Sequence, residues 1–149
     1  MRVEELLDEK GLGIQTISVE RSVGDAIQSM TEKKISALIV MEGDHSAGIF
    51  TERDVLRAHV KYPGKAFGDI PLPDVMTNKL IVARPEDKIS TTMCMMIQMD
   101  IRHLPVQRDG RLIGMLSIRD LVHHQVNTLM AELRHLRQYI GDLHDATRD

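Results

Sequence analysis

A hydroxyl and a carboxylate three residues apart occur twice in this chain, as Thr51 and Asp54 and again as Ser117 and Asp120. A carboxylate accepts hydrogen bonds from two neighbouring hydroxyls, as a sugar diol presents them, and each such charged bond contributes ~1.5–3 kcal/mol. Thr and Ser at these places are also suited to cap a helix. A helix start carries free backbone N–H groups and the positive end of the dipole, which favour a phosphate. One helix N-terminus of this kind can therefore hold a ribose and a phosphate together. The plainer role is that the hydroxyls only cap their helices and the Asp residues are first-turn acids. One isolated copy favours that role; two copies in register favour a ligand.

The two pairs sit inside a longer repeat. Gly48-Ile49-Phe50-Thr51-Glu52-Arg53-Asp54 returns 66 positions later as Gly114-Met115-Leu116-Ser117-Ile118-Arg119-Asp120. The same offset holds upstream without a gap, setting Val23 on Ile89, Ile27 on Met93, Met30 on Met96, Ile35 on Ile101, Leu38 on Leu104 and Val40 on Val106. Apolar matched to apolar over this length marks an internal repeat.

Local patterning supplies the elements that would position the pairs. Residues 2–9 read as a short helix with Val3, Leu6 and Leu7 on one face, stopped by Gly11 and Gly13. Ile14 to Val19 alternates as a strand does. Ser22, with Asp25 three residues on, starts a helix running to about Lys34, its buried stripe built on Ile27 and Met30. Residues 35–41 form an apolar run of strand length, Gly43-Asp44 turns the chain, and Ala47 to Phe50 is the return strand. Thr51 then caps a second helix. The order repeats: a strand at Leu80 to Ala83 ended by Pro85, a helix at Ile89 to Met99, a strand at Arg102 to Val106, a turn at Asp109-Gly110, a strand at Leu112 to Leu116, and a helix capped by Ser117. Residues 60–74, rich in Pro and Gly, read as a linker. Beyond it all, Val126, Leu129, Leu133, Leu136, Ile140 and Leu143 are spaced 3, 4, 3, 4, 3. That is a heptad seam, which must pack on the body or on a partner subunit.

Composition narrows the function. At 149 residues the chain is one domain or two small lobes. Aromatics are 3%, so the core must be aliphatic and rich in Met. The net charge of -3 argues against a nucleic-acid partner. The single Cys94, an acidic start and the lack of a long apolar run predict a cytoplasmic protein with no membrane span. Met93, Met95, Met96 and Met99 lie close to Cys94, but two of them fall on core positions of the repeat, so packing is preferred to metal binding. His123, His124 and His135 do not form a helical ligand pair. No nucleophile–base–orienter set can be read from the sequence, and no P-loop is present.

The tandem β-α-β-β-α units, each ending in Gly-x-x-Thr/Ser-x-x-Asp, resemble a pair of CBS domains, also called a Bateman module. The resemblance covers roughly residues 10–124, and it extends to small stand-alone bacterial members. It implies an α/β (α+β) fold of two lobes related by a pseudo-two-fold axis, with a short N-terminal and a long C-terminal helix. The expected division is 1–61 for the N-terminal helix and first lobe, 62–74 for the linker, 75–124 for the second lobe and 125–149 for the tail. It further implies clefts between the lobes that bind adenosine-containing ligands such as AMP, ADP, ATP, S-adenosylmethionine or NAD(H). By the same resemblance, one cleft would use Ser117 and Asp120 with Lys10, Gln15, Thr16, Ser36 and Ala37. The other would use Thr51 and Asp54 with Thr77, Ile81, Val82, Arg102, His103 and Pro105. Arg53, Arg57, Arg102 and Arg119 are the available phosphate partners.

The expectation is a regulatory sensor that needs no catalytic cofactor and passes its signal to a separate effector protein. A homodimer is expected, with the tail packing partly on the neighbouring subunit. The rival reading is a structural dimerisation module with degenerate clefts, and a weaker one is a small nucleotide-processing enzyme.

Overall fold

The computed structural model describes residues 1–11 and 13–146, with side chains through residue 144. The elements run α1 (Val3–Lys10), β1 (Thr16–Ser18), α2 (Val23–Lys33), β2 (Ala37–Glu42), β3 (His45–Thr51) and α3 (Glu52–Lys61). After two short 3-10 turns, Phe67–Asp69 and Leu72–Asp74, come α4 (Ile89–Met99), β4 (His103–Arg108), β5 (Arg111–Ser117) and α5 (Ile118–Ala146). The first lobe has a three-stranded sheet in the order β1-β2-β3, with β1 parallel and β3 antiparallel to β2. The second lobe has only the β4-β5 hairpin. Both hairpins carry a bulge at the same repeat position, after Val40 and after Val106. At the β4-β5 turn Asp109 and Gly110 both take positive φ, 51° and 77°, as a two-residue hairpin turn requires.

The expected strand at Leu80 to Ala83 is absent; Ala83 alone bridges Val106. Two prolines explain the loss. In the first lobe the β1–β2 ladder is flanked by Ile39 N–H donating to Gln15 O at 3.0 Å and Val19 N–H donating to Met41 O at 2.8 Å. The 66-residue offset puts Pro105 at the place of Ile39 and Pro85 at the place of Val19. Neither has an N–H to donate, so both flanking bonds are lost. What remains is Ala83, donating to Pro105 O and accepting from Gln107 N–H.

Each lobe completes its core with a segment from outside the repeat. Helix α1, grouped with the first lobe on sequence, packs on the second. Val3, Leu6 and Leu7 are buried there with Ala83, Ile89, Met96, Leu104, Val106, Leu116 and Leu121. Its backbone is tied down by Val3 N–H donating to Asp87 O and Glu4 N–H donating to Pro85 O. The linker is likewise no free connector. Ile70, Leu72 and Val75 are buried in the first core with Val23, Ala26, Met30, Leu38, Val40, Phe50 and Ala58. Met30 and Met96 lie in the two cores, whereas Ile27 and Met93, expected in the same stripes, are only partly buried. Cys94 is exposed.

The glycine that opens each repeated motif is required by close approach. A Cβ on Gly48 would lie 2.6 Å from the backbone oxygen of Thr77, and one on Gly114 would lie 2.7 Å from Cδ2 of Leu7. The first obstacle is backbone, held by Ile49 N–H donating to Thr77 O at 2.9 Å; the second is the tip of a flexible side chain. Gly48→Ala is therefore expected to destabilise by about 2–3 kcal/mol and Gly114→Ala by about 1 kcal/mol. Urea unfolding of the two variants checks this, and equal costs would contradict it.

Candidate functional site

The hydroxyl–carboxylate pairs sit at the starts of α3 and α5, where Thr51, Ser117 and Asp120 line cavities that the opposite lobe also lines. At α5 a full reciprocal cap forms: Ser117 N–H donates to Asp120 Oδ2 at 2.9 Å, and Asp120 N–H donates to Ser117 Oγ at 3.1 Å. At α3, Thr51 N–H donates to Asp54 Oδ2 at 2.9 Å. The capping role is thus met in both copies, and binding must be judged by what else each carboxylate touches.

Here the copies diverge. Asp54 is only 1% exposed, and its second oxygen accepts from Arg57 at 2.8 Å. Burial pushes its carboxyl up, only partly offset by the Thr51 N–H and the Arg57 guanidinium. The Asp120 side chain keeps 28% of its surface exposed. Its Oδ2 accepts from Lys10 Nζ at 2.6 Å as well as from Ser117. Burial pushes the Asp120 carboxyl up too, but the Lys10 ammonium and the Ser117 N–H outweigh it and hold the group below the usual range. Lys10 Nζ also donates to Met115 O at 2.7 Å, which fixes the end of α1 beside the start of α5.

Two cavities lie between the lobes. The larger, about 1150 Å³, brings together Lys10, Gln15, Ser36, Ala37, Ser117, Arg119 and Asp120. The smaller, about 130 Å³, brings together Thr51, Arg53, Arg57, Thr77, Ile81, Pro105 and the pair Arg102 and His103, which line both. Thr16, Val82 and Asp54 line neither. At the junction, Ser36 Oγ and His103 Nε2 meet at 2.7 Å across the lobes.

The cations are placed unequally. Arg53 reaches across the lobes to the end of α4, donating to Asp100 O at 2.7 Å and to Asp100 Oδ1 at 3.1 Å. Its repeat partner is Arg119, and the repeat partner of Asp100 is Lys34, both residues at the left-handed ends of their helices. Lys34 and Arg119 line the same large cavity, so an attractive pair in one cleft is replaced by two like charges in the other. With Arg102 they give that cavity three cations that form no ion pair among the described residues. An anion would relieve their repulsion. Sequence reasoning missed Lys34, although applying the 66-residue offset to Asp100 would have exposed the charge reversal.

A CBS-domain family model matches residues 10–61 and 72–127. The mitochondrial CBS domain-containing protein CBSX3 of Arabidopsis thaliana is 40% identical over 128 residues, 83% of this chain and 62% of the relative. YhcV, a CBS domain-containing protein of Bacillus subtilis, is 27% identical over 115 residues, 76% of this chain and 80% of the relative. A crystal structure of a CBS-domain protein from Agrobacterium tumefaciens superposes with a TM-score of 0.80 at 32% identity, covering 84% of this chain and 99% of that one. The chain belongs to the CBS-domain family. Paired CBS domains are generally regulatory, bind adenosine ligands and form oligomers, and stand-alone members are generally not catalytic. Among the described residues no helix is long and apolar enough to cross a membrane.

The lobe junction generates a pH prediction. Burial holds the His103 imidazole below its ordinary 6.5, with Lys10 and Arg102 acting in the same direction and Glu52 and Asp120 against it. The unfolded chain therefore takes up this proton at higher pH than the folded one. The contribution to stability is present above about pH 6.5 and is lost as the pH falls below it. Urea unfolding between about pH 7 and about pH 5 should show stability falling in the native chain and a flatter profile for His103→Gln. Identical slopes would mean that His103 titrates as it does in the unfolded chain.

Proposed function

We propose that this chain is a non-enzymatic sensor of adenosine nucleotides and that the ligand occupies the large cleft at the start of α5. The observation that carries this reading is the joint presence there of an accessible carboxylate, a capped helix N-terminus and three unpaired cations. Asp120 accepts from the ribose diol, while the N–H groups at the start of α5 and the side chains of Lys34, Arg102 and Arg119 hold phosphate. Lys10 shares Asp120 with the sugar or turns to the phosphate. Ser36 and Ala37 are small and leave room for the base. The cleft at the start of α3 is poorly suited as it stands. Its carboxylate is buried against its own Arg57, and about 130 Å³ falls below the ~300 Å³ at which small-molecule pockets begin.

The output passes to a separate effector protein. Binding switches the protein only if the ligand favours one arrangement of the lobes over another. The ligand candidates are AMP, ADP, ATP and NAD(H), all of which present adenine, a ribose diol and phosphate.

Ligand at ~100 times its dissociation constant should add ~2.7 kcal/mol, or a few degrees in melting temperature. Asp120→Ala should weaken binding by ~10- to 100-fold, from the loss of charged hydrogen bonds. Asp54→Ala should leave affinity within about threefold, because Asp54 lines neither cavity. Lys34→Ala should weaken a nucleotide but not adenosine, which lacks the phosphate. Calorimetry with AMP, ATP, NADH and adenosine on the native chain and the three variants is the test. No binding by any of them sinks the sensor reading; loss with Asp54→Ala but not Asp120→Ala moves the site to the other cleft.

A further inference from the structure

Helix α5 runs 29 residues from the cleft, and Leu121 is its last fully buried apolar side chain among the described residues. Past that point Val126, Leu129, Leu133, Leu136, Ile140 and Leu143 are each 43–62% exposed. Of the two places expected for the seam, the chain's own body does not cover it. Val122, one heptad before Leu129, is exposed as well and extends the stripe to three heptads. A row of large apolar side chains with nothing against it is a surface awaiting an occupant.

We propose that the occupant is α5 of a second copy, in a parallel two-stranded coiled coil. Three features of the helix specify it. The first is the layering. Val126, Leu133 and Ile140 fall at the a positions, with Leu129, Leu136 and Leu143 at d. Val126 and Ile140 are β-branched a residues, each followed by Leu at d, the combination that favours two strands; Leu133 at a and Val122 at d lie outside that pattern. The second is charge. In a parallel pair each g residue meets the e residue five places on in its partner, so Glu132 meets Arg137, twice by symmetry. In the fully overlapped antiparallel pair the same register sets Glu132 against Tyr139 and Arg137 against Met130, and no charge pair forms. The third is nucleation. Three heptads are marginal for free peptides, but the first turns of α5 are already fixed by the buried Leu121 and the Ser117–Asp120 cap. Each chain thus presents a pre-formed helix.

This inference stands independently of the ligand, and its test uses none. In full-length chain carrying Cys94→Ser, a single cysteine is introduced as Leu143→Cys, Leu129→Cys or, on the outer face, Gln138→Cys. Each is treated with a short bis-maleimide, and mass is read by denaturing electrophoresis. The parallel pair predicts that Leu143→Cys and Leu129→Cys each cross-link to dimers alone, while Gln138→Cys does not. Cross-linking only when the Leu143→Cys and Leu129→Cys chains are mixed would establish an antiparallel pair and overturn the proposal. Equal cross-linking at Gln138→Cys, or none at any position, would overturn it too. Sedimentation of the native chain should give about twice 16.9 kDa, and Leu136→Glu should raise the dissociation constant at least ~100-fold. If Leu136→Glu leaves the dimer intact, the seam is not what holds it.

Discussion

Neither lobe closes its core with its own repeat unit. Some fifty residues bury a marginal fraction of their surface. The first lobe therefore takes in Ile70, Leu72 and Val75 from the connecting segment, and the second takes in Val3, Leu6 and Leu7 from the N-terminus. The second exchange has a chemical consequence. Because α1 packs on one lobe and β1 lies in the other's sheet, the chain between them must cross the inter-lobe cleft. That crossing sets Lys10 against Asp120 at 2.6 Å and puts Gln15 in the wall of the same cavity. The packing that completes a hydrophobic core is also what supplies one cleft with a cation the other lacks.

The repeat makes the asymmetry measurable, since each residue has a counterpart 66 positions away. Asp54 has Arg57 on its own helix, while Asp120 at the matching place has Lys10 from far away in sequence. Asp54 is paired with an i,i+3 neighbour and has almost no surface left for a ligand even if Arg57 swings away. Asp120 keeps exposed surface beside Lys10, so a sugar or a phosphate can share or replace that partner. The small cleft is likewise lined by the Arg53–Asp100 ion pair, whereas the counterparts Arg119 and Lys34 line the large one as two like charges.

Much of this was legible in the sequence, and the exceptions have physical causes. The repeat offset, the caps at Ser22 and Ser117, both hairpins and the heptad seam rest on local spacing, and local spacing determined them. Three features depend on contacts that spacing does not encode. The amphipathic face of α1 says that Val3, Leu6 and Leu7 must be buried, but not on which lobe. Pro85 and Pro105 were visible, yet their effect appears only when each is matched to the N–H its counterpart donates. The motif glycines are visible as the opening of each repeated run, but the reason Gly48 must be glycine appears only with the Thr77 backbone passing within reach of a Cβ. In each case the missing information is which distant segment arrives, a tertiary fact.

Helix α5 joins the two parts of the molecule that face outward. Its third residue, Asp120, lines the large cleft, and from Val122 onward the same continuous helix carries the exposed seam. A helix of 29 residues is about 43 Å long at 1.5 Å per residue. A small rotation at its root is therefore carried to its far end with little loss, because a hydrogen-bonded helix bends only gently unless a Pro, a bulge or an inserted group breaks it. No Pro occurs between Ile118 and Ala146. The root is held by the Ser117–Asp120 cap and by Lys10, the contacts that any ligand in this cleft must share or displace. Thermodynamic linkage then runs both ways: whatever a ligand does to the angle of α5, pairing of the seams does in return to the affinity of the cleft.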